Sequence, residues 1–302
     1  MIFRLDLYIE SWYNGDRKTN MKENLSEKVA AESEDRHERI LQIIRDYRPL
    51  DDSFMRELFR NDIPLTEYVL RIVTGIKDLN IIRSETQYDL HSLAGSRSLK
   101  LDVLGTDITG RQINFEVQRA DSGATSKRAR YHSSALDVEF LKPDDDTDLL
   151  PETYVIFITE NDVKGKGKLI YQYERREKDG SELDDKTHII FINGAYDKED
   201  DTSDLAKLVH DFRCSNADDM LTKPLADKTR MLKETLEGVD IMCKAVEDLV
   251  EDLLEVSNKR NKIEIAVNFI RLGKNSYDDI AEATGLTLEE VEALAETLNH
   301  TA

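Results

Sequence analysis

The sequence predicts an α/β fold with a mixed central sheet flanked by helices, followed by an all-helical C-terminal region. Three observations support this prediction. SLKLDVL and RQINFEVQ alternate apolar and polar residues, as strands with one buried face do. TYVIFIT and HIIFING are short apolar runs of the kind found in buried strands. After Tyr196 the strand patterns stop and helical periodicity continues to the end.

The order of these patterns predicts three regions. Residues 1–48 form a polar, helical N-terminal extension, and Pro49 ends it. Residues 49–196 form the α/β core. It contains two helices, LDDSFMRELFRN and PLTEYVLRIVTG, the strand LNIIRSETQ, the alternating strands, a helix from about Ser122 to Phe140, and an excursion at KGKGKLIYQYERRE. Residues 197–302 form an acidic helical region with a helix-turn-helix-like end.

Composition limits the class of protein. The 302 residues carry a formal net charge of -20, and 39% are apolar, which is enough for a core. The two cysteines, Cys214 and Cys243, do not make a disulfide framework, so a reducing cytoplasm is the predicted location. No apolar run approaches the roughly 20 residues that span a bilayer. The N-terminus lacks the continuous apolar segment of a secretory signal.

The two alternating strands are predicted to form a hairpin, because GTDITG between them supplies turn residues. A three-residue loop, Ile108 to Gly110 with Gly110 in the left-handed conformation, would place Asp102 opposite Glu116. Directly opposed residues have Cβ atoms about 4.5–5.5 Å apart. Because side chains alternate between faces, Gln118 points to the same side as Glu116.

Two carboxylates at that distance repel each other, and a divalent cation between them would remove the repulsion. Mg²⁺ prefers carboxylate, water and phosphate oxygens. Asp102 and Glu116 are therefore candidate metal ligands, the carbonyl of Val117 could complete the coordination, and the Gln118 amide could hold a water or a phosphate oxygen. The alternative from pattern alone is a polar, solvated hairpin face.

These residues carry a resemblance to a known family. DDSFMRELF, PLTEYVLRIV, RSETQ, LDV followed by EVQ, and the helix ending in RARYHSSAL resemble, in this order, the PD-(D/E)XK nuclease superfamily. More narrowly, they are similar to the PD-(D/E)XK nuclease family transposases, a group related to recombination-promoting nucleases. The likeness covers roughly residues 50–195. It implies a restriction-endonuclease-like core and a DNA endonuclease that uses Mg²⁺ or Mn²⁺, with a link to recombination or mobile elements.

The resemblance also implies roles for single residues. Asp102 matches the family's metal-binding Asp, and Glu116 matches its second acidic ligand. Gln118 stands where the superfamily has a catalytic Lys, a change that the narrower group shares. Glu85 matches an acidic residue that precedes the hairpin, and its alternative is a solvated charge at a strand end. The positive group that replaces the Lys is open between Lys127, Arg130 and the metal.

A basic segment follows the hairpin. RADSGATSKRARYH contains four cations against one acid, and the predicted DNA phosphate contacts in it are Arg119, Lys127, Arg130 and Tyr131. The alternative is a solvated helix face. The overall negative charge opposes binding to nucleic acid, but more than half of it lies after Tyr196.

The C-terminal residues show the helix–turn–helix pattern, with Ser276 and Asp279 as one capping box and Thr287 and Glu290 as another. The second helix carries glutamates, which favours a structural or oligomerising role over DNA binding. An apolar stripe in MLKETLEGVDIMCKAVEDLVEDLLEV predicts a packing face or self-association as a homodimer. A binding or regulatory module that keeps the nuclease fold without turnover is the alternative function.

Overall fold

A computed structural model of the chain describes residues 36–90, 99–119 and 123–300, with side chains as far as Leu298. Six strands form one mixed sheet in the order β1-β2-β3-β4-β6-β5. The strands are β1 (Ile81–Leu90), β2 (Leu99–Asp107), β3 (Gln112–Gln118), β4 (Thr153–Thr159), β5 (Ile170–Tyr173) and β6 (Thr187–Asn193). Strands β3, β4 and β6 are parallel, and the other neighbouring strands are antiparallel.

The hairpin of β2 and β3 has the predicted loop. Gly110 takes a φ of 91°, and its N–H donates to the Asp107 carbonyl at 3.0 Å. The Asp107 N–H donates to the Arg111 carbonyl at 3.1 Å, so three residues separate the last paired positions. Val103 pairs with Phe115 in the resulting register. The next step along both strands sets Asp102 against Glu116, as predicted.

Helices cover both faces of this sheet. Among the described residues, the α-helices before residue 236 are α1 (36–46), α2 (Asp52–Phe59), α3 (Ile63–Thr74), α4 (Ser126–Phe140), α5 (Asp204–Phe212) and α6 (Lys223–Glu234). On one face, α4 packs over Phe157, whose ring lies 5.5 Å from that of His132. On the other face, the Phe115 ring meets Phe59 of α2 at 5.9 Å and Phe212 of α5 at 6.0 Å. The sequence prediction of a mixed sheet flanked by helices is confirmed.

The position of α4 follows from its cap. The side chain of Thr125 accepts a hydrogen bond from the Arg128 N–H, which satisfies a main-chain donor of the first turn. Ala129, His132 and Leu136 are buried, and they lie at helical spacing on one side of the helix. Arg128 is four residues before His132 and therefore lies on the edge of the buried side.

The C-terminal region is helical throughout, as predicted: α7 (Leu236–Leu272), α8 (Tyr277–Thr284) and α9 (Leu288–His300) follow α6. Residue contacts divide the chain into two compact units, one ending at Cys243 and the other beginning at Lys244. In the second unit both predicted capping boxes are present, at Ser276 with Asp279 and at Thr287 with Glu290. Within the described part of the chain, every helix is too short or too polar to cross a lipid bilayer.

Some predictions fall outside the described residues. They concern most of the N-terminal extension, residues 1–35, and the start of the helix placed at about Ser122. The excursion at KGKGKLIYQYERRE contributes β5, which pairs antiparallel with β6 at the edge of the sheet.

Candidate active site

The Asp102 and Glu116 carboxylates hold the two strands together where their regular pairing ends. The Glu116 Oε1 atom accepts a hydrogen bond from the Asp102 N–H at 3.1 Å. The Asp102 Oδ2 atom accepts one from the Val117 N–H, also at 3.1 Å. Two reciprocal side-chain bonds thus fix both carboxylates on rigid strands, within a few ångströms of each other.

Burial makes the ionised form of both acids costly. Glu116 is only 1% exposed. Burial raises the pKa of Glu116 to about 8, with a second contribution from repulsion by Asp102, while the Asp102 N–H and Arg128 oppose the rise. Burial raises the pKa of Asp102 to about 6, and the negative charge of Asp52 adds to the rise. Burial and mutual repulsion therefore favour a proton held by the pair at neutral pH.

Arg128 is the cation nearest to this pair in the first turns of α4. Its Nη2 atom lies 3.8 Å from Glu116 Oε2, and its Nε–H donates to His132 Nε2 at 3.2 Å. From the sequence, the positive group is open between Lys127, Arg130 and a metal; in the structure, the helix turns Arg128 toward the carboxylates. The signal that could have found it is the spacing of Arg128 and His132, which places them on one face.

His132, one turn after Arg128, also lies beside the pair of acids. It is fully buried, and its Nδ1 atom lies 3.0 Å from the Asn114 amide nitrogen and 3.8 Å from Glu116 Oε1. Burial lowers the pKa of His132 to about 4, and the Arg128 charge acts in the same direction. The imidazole is therefore neutral at physiological pH. The Asn114 Oδ1 atom is buried without a hydrogen-bond partner among the described residues.

Helix α2 brings further charges to Asp102 from another side. Asp52 raises the pKa of Asp102 by repulsion, and Arg56 lowers it by attraction. Arg56 and Asp52 also bind each other across one helical turn, with Arg56 Nη2 at 2.5 Å from Asp52 Oδ2. Asp102 is thus surrounded by charges from α2, α4 and its own hairpin.

Gln118 and Val117 complete the end of β3. The Gln118 carbonyl accepts a hydrogen bond from the Glu160 N–H at 3.2 Å on the β4 side. The Val117 N–H points toward β2, where it donates to Asp102. In a β-strand, the N–H and C=O groups of one residue point to the same side. The Val117 carbonyl is therefore directed toward β2 as well. The amide end of Gln118 lies directly against Gly123, where a Cβ atom would collide with it.

Glu85 lies farther from the pair. It pairs with Leu104 across β1 and β2, two residues along β2 from Asp102. Its carboxylate contacts the Arg83 guanidinium, and 36% of its side chain is exposed.

The predicted phosphate contacts divide into two groups. Arg119 is held in an ion network at the exit of β3: its Nη1 atom lies 3.0 Å from Asp51 Oδ1, and its Nε–H donates to Glu160 at 3.2 Å. Arg48 binds the same two acids, with Nη1 at 2.8 Å from Glu160 Oε1. By contrast, Lys127, Arg130 and Tyr131 are exposed and share one side of α4.

A second group of metal-ligand types lies at the end of α5. His210, Asp211 and Cys214 offer ligand atoms within 4.8 Å of one another. Asp211 is fully buried, and its oxygens accept hydrogen bonds from Leu221 N and Thr222 N at 2.7 Å. Burial raises the pKa of the Cys214 thiol to about 11, which disfavours the thiolate that a metal requires. These groups tie α5 to the start of α6, and the chemistry of the donor set does not fit a metal well.

Comparison with known proteins gives one match. The family model described as PD-(D/E)XK nuclease family transposase matches residues 63–261, about two thirds of the chain. The matched range includes Asp102, Glu116, Gln118 and Arg128. No curated protein and no solved structure matches the chain.

Proposed function

Because the chain belongs to the PD-(D/E)XK nuclease family transposases, we propose that it is a divalent-metal-dependent endonuclease that hydrolyses phosphodiester bonds in DNA. The observation that carries the proposal is the pair of half-buried Asp102 and buried Glu116, fixed by reciprocal hydrogen bonds at 3.1 Å. Two carboxylates held so close together, one of them buried, need a positive charge beside them or must keep a proton there.

The donor set fits Mg²⁺, and Mn²⁺ as an alternative. Asp102 and Glu116 would hold the metal, and the carbonyl of Val117, directed to the same strand edge, is the third protein oxygen in the proposal. When bound, the metal would supply charge stabilisation at the phosphate and acidify a water molecule. The proton that the pair retains at neutral pH must leave before both carboxylates can act as ligands.

Side chains around the pair have separate tasks in this proposal. Gln118, held at Gly123, orients the water or a phosphate oxygen through its amide. Arg128 supplies positive charge toward the reacting phosphate, which is where the superfamily uses a Lys. Neutral His132 accepts the Arg128 hydrogen bond and thereby positions the guanidinium. Glu85 assists from outside the ligand set, a role supported by family resemblance.

DNA would approach along the exposed side of α4. Lys127, Arg130 and Tyr131 present two cations and one aromatic ring there, which suits phosphate and sugar contacts. Arg119 would contact a phosphate only in exchange for Asp51 or Glu160. The family description favours a part in recombination or in the movement of genetic elements.

Exposed apolar side chains on α7 favour the predicted homodimer. In α7 the side chains of Val250, Leu253, Leu254 and Val256 are 40–67% exposed, and they lie on neighbouring turns. Self-association would bury them. Sedimentation of the full chain with Leu253→Lys against wild type tests this, because a lysine at an interface would leave a monomer.

A nuclease-fold binding module without turnover is the second candidate. Two features favour it: Gln118 replaces the superfamily Lys, and each acid of the pair already serves as a main-chain acceptor. Such a module would bind DNA without cleaving it.

A plasmid-nicking assay separates the two candidates. Wild type, Asp102→Asn and Glu116→Gln are compared in Mg²⁺ and in Mn²⁺; both amides preserve an oxygen that can accept the main-chain N–H, so the hairpin is retained. Asp144→Asn, which changes an exposed carboxylate, is the matched control. Cleavage by wild type and by the control, with loss in both amide variants, supports the endonuclease. Binding without cleavage by wild type would establish the module instead.

Metal titration by calorimetry is the companion test. Wild type should bind Mn²⁺, and the double change Asp102→Asn with Glu116→Gln should not. Equal binding by both proteins would assign the metal to other residues, and the cluster of His210, Asp211 and Cys214 would be the next to test.

A further inference from the structure

The five residues Lys164–Lys168, named here the lysine loop, have a rigid arrangement that catalysis does not explain. Asp162 accepts hydrogen bonds from the N–H groups of Lys164 at 3.1 Å, Gly165 at 3.0 Å and Gly167 at 2.7 Å. The Tyr171 hydroxyl accepts the N–H groups of Lys166 and Lys168, both at 3.1 Å. It donates in turn to Asp162, at 2.8 Å. All five main-chain donors of the loop therefore point inward.

This arrangement fixes what the loop can bind. Gly165 and Gly167 have φ values of 64° and 63°, the left-handed conformation that glycine adopts without strain. Because the N–H groups are already used, the loop cannot cradle a phosphate through its main chain. Lys166 and Lys168 are exposed, and within the described residues neither forms an ion pair. Ligand contacts would come from these two ammonium groups.

Lys164 anchors the loop on helix α4. Its Nζ atom donates to Ser126 Oγ at 3.1 Å and lies 3.4 Å from the centre of the Phe191 ring. Burial lowers the pKa of Lys164. The loop is thus attached to the first turn of α4, the turn that carries Lys127 and Arg128.

The loop also leaves the sheet beside the candidate site. It follows β4, whose last residue, Thr159, pairs with Gln118. The acidic residues of PDDDTD precede β4, at its opposite end. A strand of seven residues is about 20 Å long, so the acidic segment and the lysine loop are well separated. Asp162, the acid that accepts the loop's hydrogen bonds, is turned inward.

We propose that the lysine loop is a second DNA-backbone contact, in which Lys166 and Lys168 bind phosphates on the flank of the site without reading sequence. The inference rests on the proposed function, since it assumes that the substrate is DNA. Preorganisation by Asp162 and Tyr171 lowers the entropy that the loop would lose on binding. Side-chain ammonium groups acting as point charges suit phosphates and carry no base information.

Binding without turnover tests the proposal separately from cleavage. Anisotropy of a labelled DNA duplex is measured with Ca²⁺ in place of Mg²⁺, at several NaCl concentrations, for wild type and for Lys166→Glu with Lys168→Glu. The matched control is Lys77→Glu with Lys142→Glu, which makes the same charge change at exposed positions near the opposite end of the sheet. The double change Lys166→Arg with Lys168→Arg keeps both positive charges and tests whether charge alone is enough for binding.

The glutamate pair in the loop should weaken binding at least about 10-fold. It should also reduce the slope of log K against log salt by about 2, since each phosphate contact contributes about 0.9. The control pair and the arginine pair should stay close to wild type. Equal losses in loop and control variants, unchanged binding by the loop variant, or no binding by wild type would overturn the proposal. If wild type binds DNA through the loop but does not cleave it, the proposed endonuclease activity is overturned and the loop proposal stands.

Discussion

The main-chain N–H of Asp102 donates to the side chain of Glu116 across the hairpin, at 3.1 Å. Together with the bond from Val117 to Asp102, it puts two acids where two strands would otherwise continue a regular ladder. The bonds occupy one oxygen of each carboxylate. In the metal-free protein a proton held by the pair lowers the cost of burying the two charges, because burial raises the pKa of Glu116 to about 8.

Metal-free stability should fall as the pH rises. Glu116 in the folded protein binds its proton up to a pKa of about 8, against 4.5 for an unperturbed glutamate. Between these values the folded state holds more protons than the unfolded state, so unfolding becomes easier with increasing pH. Thermal unfolding in EDTA across this window should show a falling midpoint. Glu116→Gln should flatten the dependence, and an identical slope in that variant would place the titration elsewhere.

Replacing Arg128 should lower cleavage more than metal binding. Arg128→Met removes the charge 3.8 Å from Glu116, and loss of one preorganised positive group at a reacting phosphate costs about 100-fold in rate. Single-turnover cleavage and Mn²⁺ calorimetry measure the two effects. Arg128→Lys should recover part of the rate, and Lys142→Met, at an exposed position beyond the end of α4, is the control. If Arg128→Met cleaves as fast as wild type, another residue supplies the positive charge.

Adding one methyl group at Gly123 should impair the site without unfolding the protein. Gly123→Ala would push the Gln118 amide away from its present position, because the new Cβ atom and Gln118 Oε1 would overlap. Misplacement of a positioning group by about 1 Å can cost about 100-fold in rate. The cleavage rate should approach that of Gln118→Ala, while thermal unfolding changes little. If Gly123→Ala cleaves normally and Gln118→Ala does not, the amide has room to move.

Lys233 should contribute to the stability of the first compact unit. Its ammonium donates to the carbonyl oxygens of Arg45, Tyr47 and Ser215 at 2.5–2.9 Å. Lys233→Met keeps the apolar stem and leaves these acceptors without their donor, which costs about 1–3 kcal/mol in the free energy of unfolding. Urea denaturation measures the change. Lys223→Met, with a mostly exposed side chain on the same helix, should be neutral.

The hairpin could be predicted because local chemistry determines it. Alternation assigns the faces, and the loop with Gly110 in the left-handed conformation sets the register, so the opposition of Asp102 and Glu116 follows from about fifteen residues. The buried strands were equally clear, since their apolar runs are short and rich in β-branched residues. The order of the strands in the sheet could not be predicted in this way, because it depends on tertiary contacts.

The surroundings of the pair could not be predicted in the same way. Four cations in the segment after the hairpin looked alike, and only the helical phase fixed by buried Ala129 and His132 selects Arg128. Arg119 looked available for DNA because its partners, Asp51 and Glu160, are 68 and 41 residues away. Contacts of that separation leave no periodic signal in a single sequence.

Helix α2 lies outside the family match, yet it contacts the strands that carry the candidate site. The family match begins at residue 63, but the ring of Phe59 packs on Phe115 and the charge of Asp52 acts on Asp102. The match ends at residue 261, in the interior of α7. A fragment trimmed to the matched range would uncover the part of the sheet on which α2 packs, release Arg119 from Asp51 and cut a continuous helix. The limits of the family match are therefore narrower than the smallest unit expected to fold with its candidate site intact.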